Sequence, residues 1–249
     1  MQKPTKAIIL IAGLGSRLRP LTDTQPKCLT EVNGTPILMN ALNQLNEAGI
    51  KETILVIGYL GEKVREAVGN SFKSMKISYA ENPDYNKTNN SYSLWVAIKG
   101  LPESLLILEG DVFFEKKLLQ ALMEDKRENV TTVEKYNPNL DGTFVEVSGN
   151  SLVKSWVHKK ERPEGFTLED KYKTINIHKF SEDFVKETII PTLKQHIDET
   201  GGTEPIEYIF KTIIKDGGEI WALDAKGIKW FEIDEVEELK IAEEMFKDV

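Results

Sequence analysis

The residues best suited to chemistry come early in the chain. Ala12-Gly13-Leu14-Gly15-Ser16-Arg17-Leu18-Arg19-Pro20-Leu21-Thr22 is followed shortly by Pro26-Lys27-Cys28-Leu29. Glycines at 13 and 15 let the backbone come close to a bound group and turn N–H donors toward anionic oxygens. Arg17 and Lys27 add cations able to neutralise a chain of phosphates. Far downstream, the apolar run 105–109 leads straight into Gly110-Asp111, and Trp230-Phe231-Glu232-Ile233-Asp234 sets a second acid after another strand-like run. An Asp directly after a buried strand stands at the carboxyl edge of a sheet, where a carboxylate and phosphate oxygens together hold Mg2+. A turn or helix-cap role is the plainer reading of Asp111 taken by itself.

Rival meanings of the glycine loop fail on particular residues. The dinucleotide fingerprint G-x-G-x-x-G needs a third glycine, and position 18 is Leu. The loop has no G-x-x-x-x-G-K-[ST] match either. A simple turn between strand and helix explains Gly13 and Gly15 but leaves Arg17, Pro20 and Lys27 without a reason. The three histidines, His158, His178 and His196, show no catalytic spacing and read as surface or structural residues.

Together, Gly13-Leu14-Gly15-Ser16-Arg17-Leu18, Pro20-Leu21-Thr22 and Pro26-Lys27 resemble the signature of the sugar-phosphate nucleotidyltransferase superfamily. The similarity extends to its phosphocholine cytidylyltransferase-like branch, whose ending W-[FY]-E-I-D the stretch from Trp230 resembles. One departure is Ile11, where that family has alanine. The resemblance implies that Ala12, Gly13, Leu14, Gly15 and Ser16 wrap the triphosphate of CTP, with Arg17 and Lys27 on its phosphates. It implies that Asp234 completes a Mg2+ site with Asp111, with Glu232 as an assisting or structural neighbour. It also lays the segment 89–95 along the nucleotide, making Asn90, Ser91 and Glu81 candidates near base or ribose. A carboxylate at Glu81 could accept a hydrogen bond from the cytosine amino group, while Asn90 or Ser91 also serves as a helix N-cap.

The acceptor implied by the resemblance is a small phosphate or phosphonate of the phosphocholine or 2-aminoethylphosphonate type. One of the lysines 159, 160, 171 and 173, foremost Lys159 or Lys173, should meet its phosphate. Tyr92, Trp156 and Trp230 are candidates to face its ammonium group, although a lone Trp is more often core. Two alternatives stay open: a sugar-1-phosphate uridylyl- or thymidylyltransferase, and a non-catalytic nucleotide-binding module.

Elements must hold these residues in place. Apolar runs at 7–11, 53–57 and 105–109 read as strands buried on both faces. A further strand is expected at 76–80, with helices at 36–48, 61–68, 92–99 and 116–125. This alternation implies a parallel sheet of βαβ units. From residue 130 the pattern changes to strands at 130–134, 143–147, 152–157 and 173–180, with hairpin-type dipeptides Asp141-Gly142 and Gly149-Asn150 between them. Helices at 181–198 and 205–215, strands at 219–223 and 229–233, and a closing helix at 235–246 complete the chain. The expected fold is α/β: a Rossmann-like, mostly parallel central sheet with helices on both faces and an inserted antiparallel acceptor-binding lobe. The expected organisation is a single domain over 1–249, with a nucleotide-binding half at 1–128 and an acceptor-binding half at 129–249.

The 249 residues carry 40 acidic and 32 basic side chains, a net charge of −8. That balance argues against a general nucleic-acid binder and requires cations gathered locally around any phosphate. The single cysteine, Cys28, rules out an intrachain disulfide. The N-terminal apolar run is too short for a signal peptide, and no stretch reaches the ~20 apolar residues of a membrane span. The expected location is the cytoplasm. Oligomeric state has no signature in the sequence.

Overall fold

A computed structural model describes residues 3–248. In chain order the strands are β1 (Lys6–Leu10), β2 (Glu31–Val32), β3 (Thr35–Pro36), β4 (Glu52–Ile57), β5 (Ser71–Phe72), β6 (Met75–Glu81), β7 (Leu105–Glu109), β8 (Val112–Phe114), β9 (Val130–Lys135), β10 (Phe144–Val147), β11 (Val153–Val157), β12 (Tyr172–Phe180), β13 (Trp221–Asp224) and β14 (Trp230–Glu232). The helices are α1 (Ile37–Glu47), α2 (Gly61–Val68), α3 (Asn90–Ile98), α4 (Lys116–Glu124), α5 (Glu182–Phe184), α6 (Ile190–Thr200), α7 (Glu207–Lys215) and α8 (Val236–Met245).

The strands predicted to be buried on both faces are so. Along β1, Ala7 and Ile9 enter a core with α1, α2 and α4, while Ile8 and Leu10 enter a second core with α3, α6 and α7 on the opposite face. A strand sandwiched in this way has no polar face to alternate with, hence its continuous apolar run. β7, β1, β4 and β6 are neighbours and run parallel. The chain moves outward from β1 through β4 to β6, then returns to place β7 on the other side of β1. That reversal opens a crevice beyond the carboxyl ends of β1 and β7, the general binding position of open α/β sheets.

The antiparallel strands expected after residue 130 extend this same sheet. β12 pairs antiparallel with β7, and β10, β11 and β9 build outward from β12. β13 pairs parallel with β9. Between Thr174↔Val133 and His178↔Thr131 the partner advances two residues while β12 advances four, so β12 bulges by two residues there. Asn176 lies in the bulge with φ at 61°.

Four departures from the sequence reading have local causes. The helix predicted from 92 begins at Asn90, because Asn89 is the cap and its side chain accepts from the Asn90 N–H; neither Asn90 nor Ser91 caps it. The helix predicted over 181–198 contains a π turn at Val185–Ile189 between α5 and α6. The two-residue strands β2, β3 and β5 are too short to carry any periodicity. The strand β8 was hidden because Val112-Phe113-Phe114 follows Asp111 with no turn signal before it. No helix among the described residues is long and apolar enough to cross a membrane.

Candidate functional site

The loop after β1 folds back over the crevice. Gly15 takes φ 59°, and a Cβ there would stand 2.8 Å from Lys27 Cβ, so only glycine fits under the Lys27 stem. Thr22 Oγ1 donates to the Gly15 carbonyl at 2.8 Å and fixes the same turn. Leu18 is the loop's apolar anchor, buried against Phe113 and Ile233. The loop residues 12–17 and Lys27 line a cleft of 360 Å3 whose other wall is formed by Asn82, Tyr85, Thr88, Asn89, Asn90, Glu109 and Asp111.

Gly110 makes the crevice possible on the β7 side. Its N–H donates to the Leu10 carbonyl at 3.0 Å, and a Cβ there would come within 2.1 Å of Ile11 Cγ2. Asp111 follows, held where the two central strands end. β14 then pairs antiparallel with β8, and the Ile233 N–H donates to the Asp111 carbonyl at 2.9 Å. This pairing brings Asp234 across more than a hundred residues of sequence to Asp111. The Glu238 carboxylate accepts from the Asp234 and Glu235 N–H groups at 2.7 and 2.9 Å, locking the turn into α8.

One ammonium joins the two acids. Lys27 Nζ is 2.9 Å from Asp111 Oδ2 and 2.5 Å from Asp234 Oδ1, and Arg17 is 2.7 Å from Asp234 Oδ2. Burial opposes the charge on Lys27, but the two carboxylates overcome it and hold its pKa above the usual lysine value. Burial likewise opposes the charge on Asp234, and Lys27 with Arg17 holds its pKa below the usual carboxylate value. Asp111 Oδ1 is buried with no hydrogen-bond partner. An orphaned carboxylate oxygen beside a second carboxylate fits a hard divalent cation. Among the described residues no group of three or more His, Cys, Asp or Glu side chains could hold a metal. An ion at Asp111 and Asp234 would therefore take its other ligands from water and from phosphate oxygens, the ordinary condition of Mg2+.

A second cleft of 710 Å3 adjoins the first, and Arg17 and Asp234 line both. Lys159, Lys173, Trp230 and Glu232 lie on its walls. Lys173 is not a free cation: its buried ammonium donates to Glu232 Oε2 and to the Thr174 carbonyl, both at 2.7 Å. Glu232 is thus engaged by Lys173, while burial and the nearby Asp111 and Asp234 push its carboxyl above the usual range. Lys159 stands on the rim, paired with Asp141. The Trp230 indole N–H donates to Glu134.

Four expected site residues lie outside both clefts. Glu81 is paired with Arg65 at 2.7 Å on the exposed edge of β6, so the carboxylate assigned to cytosine is engaged elsewhere. Ser91 is fully buried and donates to the Glu204 carbonyl. Tyr92 packs over Gly202, where an added Cβ would meet its own Cβ at 2.7 Å. Trp156 is a core residue whose ring lies tilted against those of Phe210 and His178. Their neighbours carry what the sequence reading missed. Asn90 donates to Glu109 Oε1 at 2.9 Å and accepts from the Ile206 N–H at 2.8 Å, tying α3 to the end of β7. Burial, together with Glu207, Asp111 and Glu232 nearby, pushes the Glu109 carboxyl well above the usual range. Glu109 and Glu207 had no motif around them; their only signals were an acid ending an apolar strand and an acid opening a helix.

This geometry has relatives. A family model described as "Nucleotidyl transferase" matches residues 6–245. The CMP-5'-(3-aminopropyl)phosphonate synthase of Streptomyces rubellomurinus is 33% identical over 93% of this chain and 37% of its own length. The 2-aminoethylphosphonate cytidylyltransferase of Lancefieldella rimae is 38% identical over 43% of each chain. This chain spans less than half the length of either relative. The solved CTP:phosphocholine cytidylyltransferase from Streptococcus pneumoniae superposes with a TM-score of 0.77 over 97% of this chain and 98% of its own, at 23% identity. At that identity the likeness is one of fold.

Proposed function

Because this chain belongs to the nucleotidyl transferase family, we propose that it is a CTP-dependent cytidylyltransferase acting on a small phosphate or phosphonate. The names of the relatives support the nucleotide and the acceptor class. The observation that carries the reading is the cluster Lys27–Asp111–Asp234–Arg17 set where the loop after β1 meets the end of β7.

The loop 12–16 lines a cleft of 360 Å3 where its backbone N–H groups would bind a triphosphate, with Lys27 and Arg17 as its cations. A divalent ion held by Asp111 and Asp234 would supply Lewis-acid charge to the phosphates. Arg17 lines both clefts, which supports a role for one guanidinium between donor and acceptor phosphates. An acceptor oxygen attacks the α-phosphorus in line and forms the new P–O bond. The bond from the α-phosphorus to the bridging oxygen breaks, and its electron pair leaves with pyrophosphate. An acceptor phosphate or phosphonate is already ionised, so no general base is required. Positioning and charge neutralisation supply the acceleration.

Pyrophosphate release with each nucleoside triphosphate tests the reading, using 2-aminoethylphosphonate, phosphocholine and glucose 1-phosphate as acceptors with Mg2+. CTP with one of the first two is expected to be the productive pair, and Asp111→Ala and Asp234→Ala are expected to abolish it in folded protein. Release only with UTP or dTTP and glucose 1-phosphate would replace the proposal with a sugar uridylyl- or thymidylyltransferase. Wild-type rates in both variants would refute the metal assignment.

A further inference from the structure

The second cleft contains a carboxylate oxygen that nothing in the protein satisfies, and a buried amide lines the same wall. Asn176 is 95% buried by its 5% exposure, lies on the cleft wall, and its amide makes no hydrogen bond among the described residues. Glu207 opens α7; its Oε1 accepts from Thr143 at 3.2 Å, while its Oε2 is buried without a partner. Asn176 directly precedes Ile177, the last β12 residue paired with β7, while Glu109 ends β7 one residue after Leu108, the partner of Ile177. Glu232 reaches the same floor through Lys173. Three carboxyls, Glu109, Glu207 and Glu232, therefore surround one ammonium.

Lys173 already offsets Glu232, and the Glu207 oxygen left without a partner specifies what else the floor can hold. A carboxylate oxygen without a donor is satisfied by an N–H group, and the Asn176 amide oxygen can accept another, whereas methyl groups supply neither. A quaternary ammonium is instead held by aromatic faces. This cleft has no aromatic cage: Tyr92 and Trp156 lie outside it, the Trp230 ring already faces the Lys173 ammonium at 6.0 Å, and only Phe231 and His158 remain as aromatic lining. We propose that Asn176, Glu207 and Glu232 form a subsite for a primary ammonium group on the acceptor, selecting aminoalkyl phosphates or phosphonates over trimethylammonium ones. This rests on the cytidylyltransferase reading above. With the acceptor's anion at Arg17 and its ammonium at Glu207, the cleft reads both ends of one small zwitterion.

A methylation series tests the subsite. Pyrophosphate release with CTP is measured for phosphoethanolamine, its N-methyl and N,N-dimethyl derivatives, and phosphocholine. The expected result is kcat/KM falling with each methyl group, by roughly tenfold or more across the series. Glu207→Gln and Asn176→Ala, each checked for an unchanged melting profile, are expected to raise the acceptor KM and flatten the series while leaving the KM for CTP unchanged. Phosphocholine used as well as phosphoethanolamine, or a series unchanged in Glu207→Gln, overturns the subsite. Direct titration with 2-aminoethylphosphonate and with ethylphosphonate keeps the two ideas separable. If nothing turns over with CTP yet the amine binds more tightly and Glu207→Gln removes the difference, the subsite stands and the transfer reading falls. Equal binding of the two ligands overturns the subsite.

Discussion

Lys27 bridges Asp111 and Asp234, the two carboxylates that would hold a divalent cation. Its ammonium neutralises two carboxylates that would repel each other at the bottom of a cleft, so the pair can exist before any metal arrives. Removing it should have two opposite consequences. Lys27→Ala leaves two partly buried carboxylates facing each other and should cost about 1–3 kcal/mol of stability. The same change vacates the bridge, so Mg2+ or Mn2+ without nucleotide should bind the variant more tightly than the wild type. Thermal melting against metal concentration checks this: the variant should melt lower without metal and regain a few °C with it, while the wild type shifts less. An equal metal response in both proteins would show that Lys27 and the cation do not compete.

At the scale of elements, the site depends on two close approaches that glycine alone permits. Gly110→Ala would drive a Cβ to 2.1 Å from Ile11 Cγ2. One strand end must then move, at a cost of about 1–3 kcal/mol. Because Asp111 follows directly, a shift of that size should also lower turnover on the order of a hundredfold. Gly149→Ala, with nothing within 4 Å of the new Cβ, is the control that should change neither. Melting temperature and pyrophosphate release on both variants decide it; a Gly110→Ala protein with native activity would remove the packing argument. These contacts also explain what was legible in the sequence. The buried runs of β1, β4 and β7 announced themselves, and the glycine loop with Arg17 and Lys27 lies within one stretch of chain. The pairing of β8 with β14 brings Asp234 to Asp111, yet β8 is three residues long and its partner is remote, so no local pattern reports it. Asn176 was unreadable for a related reason: a bulge sets its orientation, and bulges arise from the register of two strands. Glu81 misled because a carboxylate at the end of a strand looks alike whether it faces a ligand or Arg65.

For the molecule as a whole, function gathers at one edge of the sheet and stability in the core beneath it. Both clefts open at one edge, while beneath them the α7 side of the sheet buries His178 among Trp156, Phe180 and Phe210. Its Nδ1 is 2.9 Å from Thr131 Oγ1, and burial pushes its pKa down to about 3. The native state therefore keeps His178 neutral through a range in which the unfolded chain, with a histidine pKa near ~6.5, takes up a proton. Below that value the unfolded state binds more protons, so stability falls with falling pH. The contribution is complete above about pH 6.5 and declines toward the folded value. Between pH 6.5 and 4 it should amount to roughly 3 kcal/mol at about 1.4 kcal/mol per unit. Carboxylates such as Asp141, held at about 2 by Lys159 and Arg162 against burial, also lose stabilisation in acid, so the wild-type slope is not His178 alone. The difference isolates it. His178→Asn keeps a polar atom for Thr131 but cannot titrate; it should be less stable at pH 7 and show a shallower slope between pH 6.5 and 4. Denaturant unfolding across that range measures both slopes. Parallel slopes in the two proteins would mean that His178 takes up its proton in the native core.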